Sequence, residues 1–346
     1  MSSTVTAIDF ENKPAEVLLV GFGAVGIIYA YLLESKKLAR VTCLARAKKY
    51  IRLQERGIDI HSKKWGVITG WRPHRVVQSL EEVLDSSFDY CIVSTKAVPE
   101  VLTTPALLGP LLTDRYHHPQ PAYVLLQNGL GVEADLYSAL KGRYDEPTVI
   151  SCALYIMTNV TAEGNVSHGT FERILVGIYK EDPSIPDSPA QEQAMHTLVK
   201  LVTKSGSEAS VTPNIAADKF RKNLWNASVG MISSLLGLSP SECACDENAL
   251  DTAMAIVHEM MTELMVVARA IGYDESLIPS NTPDSIVMET RTKLRGTDFV
   301  PSALLDVRLG IPFELEVILG YPLREAQARQ LSTPVCISTL ILIPGS

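Results

Sequence analysis

The chain has few aromatic residues and no long run of apolar ones. Phe, Trp and Tyr together make up 6% of its 346 residues. A membrane-spanning helix needs about 18 or more apolar residues in succession, and the sequence has no such stretch. The apolar tail VCISTLILIP is shorter than a span, so we expect it to pack on its domain. Residues 1–16 carry acids and no apolar core, and we therefore expect no signal peptide.

Patterns typical of metal sites are also missing. The seven histidines form no H-E-x-x-H motif, and Cys243 and Cys245 form a C-x-C without a second ligand pair nearby. A metal site is therefore not predicted. Three cysteines lie within apolar runs, where a reduced thiol behaves as a small hydrophobic group, and this favours an intracellular, cytoplasmic protein. The six cysteines occupy positions 43, 91, 152, 243, 245 and 336.

Positive charge is scarcer than negative charge. The 31 Lys and Arg residues face 39 Asp and Glu residues, which gives a formal net charge of −8 with histidine neutral. Nucleic-acid binding requires a basic face, so the composition argues against a nucleic-acid partner. A local basic pocket for a small anion remains compatible with this balance.

Strand and helix patterns divide the chain at about residue 212. In the first part, short β-branched runs such as 16–20 and 41–44 alternate with amphipathic stretches. This alternation predicts an α/β fold with a Rossmann-type, doubly wound parallel sheet over residues 1–212. Strand signals vanish from residue 213, which predicts an all-helical domain over 213–346. Helices are predicted there at 216–235, 249–270, 284–294, 302–309 and 313–330.

A glycine-rich motif follows the first predicted strand and opens a helix. Its six residues are Gly21, Phe22, Gly23, Ala24, Val25 and Gly26, which fit G-x-G-x-x-G. In a dinucleotide site the first glycine allows the tight turn, the second lets the backbone approach the pyrophosphate, and the third lets helix and strand pack closely. The helix N-terminus then offers N–H groups to the phosphates. A glycine-rich turn without a ligand is the alternative.

The end of the second strand favours NADP over NAD. NAD sites place an acid about 20 residues beyond the glycines to bind the ribose 2′-hydroxyl. Here the strand ends at Arg46, with Lys48 and Lys49 just beyond it. A guanidinium group can bind a 2′-phosphate through two hydrogen bonds. A solvated, basic start of a helix is the alternative.

Polar turns follow two later strands, at the sheet edge where active sites of this class gather. They read Ser94-Thr95-Lys96-Ala97 and Gln127-Asn128-Gly129, and we expect Thr95, Lys96 and Asn128 to line the nicotinamide side. A surface lysine and an ordinary turn asparagine are the alternatives for Lys96 and Asn128.

Lys222 and Asn226 lie four residues apart and therefore on one helix face. A buried lysine near a carbonyl can donate a proton as hydride arrives. An exposed lysine beside a cap-like asparagine is the alternative. Ser302 and Glu314 follow in the helical part, and Glu314 alternatively serves as an acid in a first helical turn.

Taken in this order, the pieces resemble the ketopantoate reductase family, the 2-dehydropantoate 2-reductases. The resemblance covers about residues 17–325 and includes Pro301–Asp306 followed by Pro312–Glu316. It implies a Rossmann domain followed by a helical domain, with the active site in the cleft between them. It also implies NADPH-dependent reduction of a 2-oxo acid to a 2-hydroxy acid, with ketopantoate the leading substrate.

The resemblance assigns roles to individual residues. The catalytic residues would be Lys222, as the general acid, and Glu314, which would orient the substrate and ammonium groups near the nicotinamide ribose. Lys96 would contact the cofactor and the substrate side, and Arg46 would hold the 2′-phosphate. The substrate's polar groups would be held by Asn128, Asn226 and Ser302.

The chain departs from the family pattern at three places. Gly230 stands where the family has a second asparagine, Leu319-Gly320 replaces an Asn-Gly pair, and the segment after Pro334 differs from the usual closing helix. The loss of an amide at Gly230 relaxes recognition of a polar substrate group. Two further hypotheses therefore stay open: a reductase of another ketone or imine, and a non-catalytic NADP-binding sensor. The oligomeric state is also open, with a homodimer among the arrangements.

Overall fold

A computed structural model describes residues 13–46, 48–161, 163–294, 296–297 and 299–343. Residues 1–12, on which the expectation about a signal peptide largely falls, and the side chain of Lys48 lie outside the described part of the chain. The chain folds into two compact units. The first unit holds the described residues up to Lys96 together with Leu102–Gln127 and Glu133–Ile215. The second holds Ala97–Val101, Asn128–Val132 and the described residues from Ala216 onward.

This division differs in two respects from the predicted boundary between residues 212 and 213. The main boundary lies between Ile215 and Ala216, and two short segments that follow strands of the first unit, 97–101 and 128–132, pack as part of the second unit. The domain ranges themselves stay a prediction.

The first unit is built on a single ten-stranded sheet. The strands are β1 (Ala15–Val20), β2 (Ala39–Leu44), β3 (Ile58–Ser62), β4 (Gly66–Trp71), β5 (Arg75–Val77), β6 (Tyr90–Val93), β7 (Ala122–Leu125), β8 (Val149–Val160), β9 (Val166–Ile178) and β10 (Glu208–Val211). Their order is β4-β3-β9-β8-β7-β6-β1-β2-β5, and β10 also pairs with β9. All pairs are parallel except β3 with β4 and β8 with β9. The predicted Rossmann-type, mostly parallel sheet is therefore confirmed.

Helices of the first unit cover this sheet. They are α1 (Ala24–Ser35), α2 (Lys48–Glu55), α3 (Thr104–Leu107), α4 (Ala134–Lys141) and α5 (Pro189–Lys204), with 3₁₀ turns at Leu80–Val83 and Gly109–Leu112. The central strands are buried on both faces, and Val17, Leu18, Leu19 and Val20 have no exposed area. Continuous apolar runs are the pattern that parallel strands between two helix layers require.

The sequence pattern predicts no strand at β5 or β10, and in place of β8 and β9 it predicts only the shorter strands 149–154 and 174–176. β5 and β10 are three and four residues long and carry Arg75 and Glu208, so they lack an apolar run. The outer parts of β8 and β9 alternate between buried and exposed residues. A strand with one solvated face has a weaker apolar signal than the buried central strands.

The second unit is helical over its described residues, as predicted. Its helices are α6 (Ile215–Trp225, which starts at the last residue of the first unit), α7 (Met231–Leu236), α8 (Pro240–Cys243), α9 (Glu247–Ala270), α10 (Thr282–Lys293), α11 (Ser302–Leu309), α12 (Tyr321–Ala328) and α13 (Pro334–Leu342). A π-helical turn, Asn226–Gly230, joins α6 to α7, and a second one, Glu316–Gly320, leads into α12. The predicted helix 313–330 therefore begins later and opens with a π-helical turn.

The C-terminal segment forms a helix, although its sequence departs from the family pattern. The buried Glu263 carboxylate of α9 accepts hydrogen bonds from the backbone N–H groups of Val335 and Cys336, each at 2.9 Å. A carboxylate at this position satisfies the free N–H groups of the first turn and complements the helix dipole. Cys336 is fully buried, which confirms that the tail packs on its domain.

Candidate functional site

The glycine-rich loop is shaped by close backbone approaches. Gly21 has a φ of +113°, and a Cβ atom there would lie 2.4 Å from the backbone nitrogen of Thr95. The Ser94 hydroxyl donates a hydrogen bond to the carbonyl oxygen of Gly21 over 2.7 Å. Only glycine combines this φ with this approach, so the turn after β1 depends on Gly21.

The two other glycines of the motif differ in their surroundings. A Cβ atom on Gly26 would lie 2.0 Å from the Gly21 carbonyl oxygen, so Gly26 allows α1 to pack against the loop. A Cβ atom on Gly23 would meet nothing within 4 Å. The loop is thus open at the residue that lets a pyrophosphate approach the backbone, and α1 begins at the next residue. The six loop residues therefore fit a dinucleotide.

The end of β2 lies beside this loop. Val20 pairs with Leu44 in the parallel register, so β1 and β2 end side by side, and Arg46 follows two residues beyond the end of β2. Arg46 is exposed and follows buried residues of β2. The ammonium group of Lys49 donates a hydrogen bond to the Phe22 carbonyl oxygen over 2.8 Å. Sequence reasoning noted Lys49 only as one more basic residue and missed this contact.

A side-chain hydrogen bond joins the turn after β6 to the turn after β7. The Gln127 side-chain amide donates to the Thr95 hydroxyl over 3.2 Å. Thr95 therefore lies against Gly21 on one side and Gln127 on the other. Lys96 is exposed at the end of this segment of the first unit.

Within the second unit, the structure brings together three of the predicted site residues. The Lys222 ammonium group of α6 donates a hydrogen bond to the Asn128 amide oxygen over 2.5 Å. Glu314 is buried, and its carboxylate accepts a hydrogen bond from the backbone N–H of Ala97 over 3.3 Å. Glu314 also interacts electrostatically with Lys222.

The environment of Lys222 changes its acidity. Burial lowers the pKa of Lys222, the Glu314 carboxylate raises it in part, and the nearby Lys219 ammonium lowers it further, to about 8. A lysine with a pKa near the working pH can both hold a proton and release it.

The π-helical turn 316–320 connects these residues. Its Val317 carbonyl accepts a hydrogen bond from the backbone N–H of Leu130 over 2.8 Å, and its Ile318 carbonyl accepts one from the Asn223 side chain over 2.8 Å. A Cβ atom on Gly129, whose φ is +88°, would lie 2.3 Å from Val317. The turn thus holds both the segment that carries Asn128 and the helix that carries Lys222. Sequence reasoning missed Asn223, because adjacency to Lys222 was its sole signal.

Asn226 and Ser302 are the remaining residues predicted to bind the substrate, and Gly230 is the position at which the family's second asparagine is missing. Asn226 begins the π-helical turn one helical turn beyond Lys222, and this turn packs against α11, which begins at the exposed Ser302. The convergence of Asn226, Ser302 and Glu314 on one face stays a prediction. Gly230 is buried, yet a Cβ atom on it would meet nothing within 4 Å. There is therefore unfilled space beside this glycine.

The described residues contain neither a cluster of potential metal ligands nor a membrane-spanning helix. No group of three or more His, Cys, Asp or Glu side chains in this part of the chain could hold a metal ion. No helix of that same part is long and apolar enough to cross a membrane.

Comparison with known proteins gives two family matches that together span most of the chain. Residues 17–181 match the family model described as "Ketopantoate reductase PanE/ApbA". Residues 214–343 match the model of the C-terminal part of the same family.

Individual relatives match along almost the whole length. An uncharacterized protein of Saccharomyces cerevisiae is 27% identical over 345 residues, which covers 95% of this chain and 93% of that protein. The crystal structure of 2-dehydropantoate 2-reductase from Methylococcus capsulatus is 27% identical, with a TM-score of 0.75 and coverage of 94% of this chain and 95% of that one. The structure of a D-mandelate dehydrogenase with NADH and anilino(oxo)acetate shares the fold at 16% identity, with a TM-score of 0.77 and coverage of 95% and 96%.

Proposed function

Because the chain belongs to the ketopantoate reductase family, we propose that it reduces the carbonyl group of a 2-oxo acid to a hydroxyl group with NADPH. The observation that carries the proposal is the position of Lys222. Its ammonium group is held by Asn128, lies near the Glu314 carboxylate, and has a pKa of about 8. This is the arrangement that a general acid for a developing alkoxide requires.

The reaction needs one hydride and one proton. NADPH, when bound at the glycine-rich loop, would supply the hydride. Lys222 donates a proton to the carbonyl oxygen, which completes the hydroxyl group, and the neutral amine then takes a proton from solvent. The amide oxygen of Asn128 holds the ammonium group in place by accepting a hydrogen bond from one of its three N–H groups.

The other predicted residues bind the two ligands. We assign the pyrophosphate to the loop of Gly21, Gly23 and Gly26 and the 2′-phosphate to Arg46. Thr95 and Lys96 complete the cofactor side. The substrate's carboxylate and hydroxyl groups would be bound by Asn128, Asn226 and Ser302, and Glu314 would orient the substrate.

Ketopantoate is the leading substrate, and one observation favours a second candidate. The space beside Gly230 can accept a substrate larger than one that an asparagine would allow there. A reductase of a bulkier 2-oxo acid, or of another ketone or imine, is therefore the alternative. A non-catalytic NADP-binding sensor is a third possibility, which the presence of Lys222 disfavours.

NADPH consumption over a panel of 2-oxo acids tests the proposal. The panel contains ketopantoate, smaller straight-chain acids and larger branched and aryl acids, and absorbance of NADPH follows turnover. We expect oxidation with at least one member and no oxidation without a carbonyl. A flat trace with every acid, together with tight NADPH binding, would favour the sensor. The cytoplasmic location and the homodimer stay predictions.

A further inference from the structure

The Lys49 side chain is anchored to the glycine-rich loop. Its ammonium nitrogen lies 2.8 Å from the Phe22 carbonyl oxygen, at the second residue of the G-x-G motif. Its backbone N–H donates to the carbonyl oxygen of Arg46 over 3.2 Å, so α2 starts directly after the strand end that carries Arg46. The anchor therefore holds the ammonium group between the loop and the end of β2.

The Lys49 ammonium group is bound by a neutral carbonyl and, among the described residues, by no carboxylate. Among the residues that the structure describes, the Phe22 carbonyl is the one hydrogen-bond partner of the Lys49 ammonium, and no acidic side chain pairs with it. An ammonium group has three N–H bonds, so two remain for a ligand. Partial burial lowers the pKa of Lys49, which indicates that the loop displaces water from the charge. An incoming anion would compensate for that loss.

Arg46 and Lys49 both follow the end of β2. Arg46 lies two residues beyond Leu44, which pairs with the last residue of β1, and the Lys49 ammonium group reaches Phe22, two residues beyond the end of β1. The open side of Gly23 follows immediately. Two cations thus stand where the second strand ends beside the loop, the position at which NAD sites carry an acid for the ribose 2′-hydroxyl.

We propose that Lys49 is a second cation for the 2′-phosphate of NADPH and determines cofactor specificity together with Arg46. This inference rests on the proposed function. Arg46 is exposed and supplies a flexible, planar donor pair, whereas Lys49 supplies a point charge that the loop itself holds in place. The loop that binds the pyrophosphate therefore also positions the charge that distinguishes the two nicotinamide cofactors.

Calorimetric binding of adenosine 2′,5′-bisphosphate and of 5′-AMP to Lys49→Gln tests this role without turnover. The two ligands differ by the 2′-phosphate, and neither contains a pyrophosphate. We expect the variant to bind the bisphosphate about tenfold or more weakly than the parent does and to bind 5′-AMP within about twofold of the parent. Lys49→Arg should retain most of the parent's preference, and the parent's preference should fall as salt is raised.

Lys36→Gln is the matched control. Lys36 is an exposed lysine at the opposite end of α1, and its loss changes the net charge by the same amount. It should leave both affinities unchanged. Thermal unfolding of each variant checks that the fold is intact.

Three outcomes would contradict the proposal or its premise. Equal affinity of the parent for both ligands would overturn the proposed NADPH preference itself. A parent that prefers the bisphosphate, with Lys49→Gln keeping the full preference, would overturn the role of Lys49 alone. Weaker binding of NADPH and NADH to the same extent, with the bisphosphate unaffected, would assign Lys49 to the pyrophosphate and would also refute the proposal.

Discussion

Lys222 and Asn128 meet through a hydrogen bond of 2.5 Å from the lysine ammonium group to the asparagine amide oxygen. They lie 94 positions apart in the sequence, one on α6 and the other in the turn after β7. The π-helical turn 316–320 binds the chain on both sides of this contact, at Leu130 and at Asn223. The orientation of the proposed proton donor is therefore held by three separate stretches of chain.

Replacement of Lys222 by alanine should abolish most turnover. Without the ammonium group the developing alkoxide has no proton donor, and we expect kcat to fall by about 10²–10⁴. NADPH binding should stay close to that of the parent, since the glycine-rich loop is unchanged. Steady-state kinetics and NADPH titration measure the two effects. Lys293→Ala, which removes an exposed lysine of α10, is the control, and a Lys222→Ala variant within a few-fold of the parent on its best substrate would contradict the assignment.

The pH dependence of reduction should follow the ionisation of Lys222. The protonated lysine is the active form, so kcat/KM should be constant below pH 8 and fall about tenfold per pH unit above it, because the pKa is about 8. The reverse oxidation uses the neutral amine and should rise with pH through the same midpoint.

Lys219 offers an internal check on this profile. Its ammonium group lowers the pKa of Lys222, so Lys219→Gln should move the midpoint to higher pH. Rate profiles of parent and variant at several pH values measure the shift. If Lys219→Gln leaves the midpoint in place, another group titrates. The same conclusion follows if the fall of kcat/KM above pH 8 persists in Lys222→Ala.

Arg46→Ala should weaken NADPH binding and leave NADH binding nearly unchanged. A hydrogen bond between charged groups contributes roughly 1.5–3 kcal/mol, which is about 10- to 150-fold in affinity. Fluorescence titration with both cofactors measures the difference. Arg40→Ala is the control, because Arg40 lies at the opposite end of β2 in an ion pair with Glu16. An equal loss for both cofactors would mean that Arg46 does not bind the 2′-phosphate.

Gly230→Asn should change substrate preference. The side chain enters open space, and it should raise kcat/KM on ketopantoate about tenfold if the protein normally accepts a bulkier acid. Activity on the largest acids of the panel should fall at the same time. Gly230→Ala is the control, because it adds only a methyl group. If the parent is already efficient on ketopantoate and the variant equals it, the space beside Gly230 does not determine the substrate.

Glu172→Gln should destabilise the first unit at neutral pH. The Glu172 carboxylate lies 2.6 Å from the Lys64 ammonium and 3.1 Å from His168, and neither Glu172 nor His168 has exposed side-chain area. Removal of one partner from a buried ion pair costs about 3 kcal/mol. Thermal unfolding at neutral pH should show the loss, and the control Glu55→Gln changes an exposed carboxylate of α2.

The same variant should reveal how this stability depends on pH. Burial acts to raise the pKa of Glu172, but the hydrogen bonds and charges of His168 and Lys64 outweigh it and the pKa is lowered. A lowered carboxylate pKa contributes stability above the unfolded pKa of about 4.3, and this contribution is lost as pH falls through the folded pKa. Parent and variant should therefore converge in acid. A constant difference down to low pH would refute this origin.

The features that leave a local pattern can be read from the amino-acid sequence of this protein. The G-x-G-x-x-G loop, the buried strands and the helices of the second unit each carry a local motif or a period that burial imposes on a strand or a helix, so they can be identified without the tertiary fold. Arg46 was identifiable because its distance from the glycines corresponds to one strand–helix–strand passage. The order of the candidate site residues along the chain can also be read from the sequence.

Which of these residues meet, and how their surroundings change them, depends on long-range packing. The Lys222–Asn128 contact, the anchor of Lys49 on Phe22 and the two carbonyl contacts of the π-helical turn all join distant positions, and no periodicity records them. The pKa of Lys222 depends on burial and on the charges of Glu314 and Lys219, which act on it only after packing. The space beside Gly230 is likewise a property of its neighbours, because a glycine in a sequence does not reveal what surrounds it.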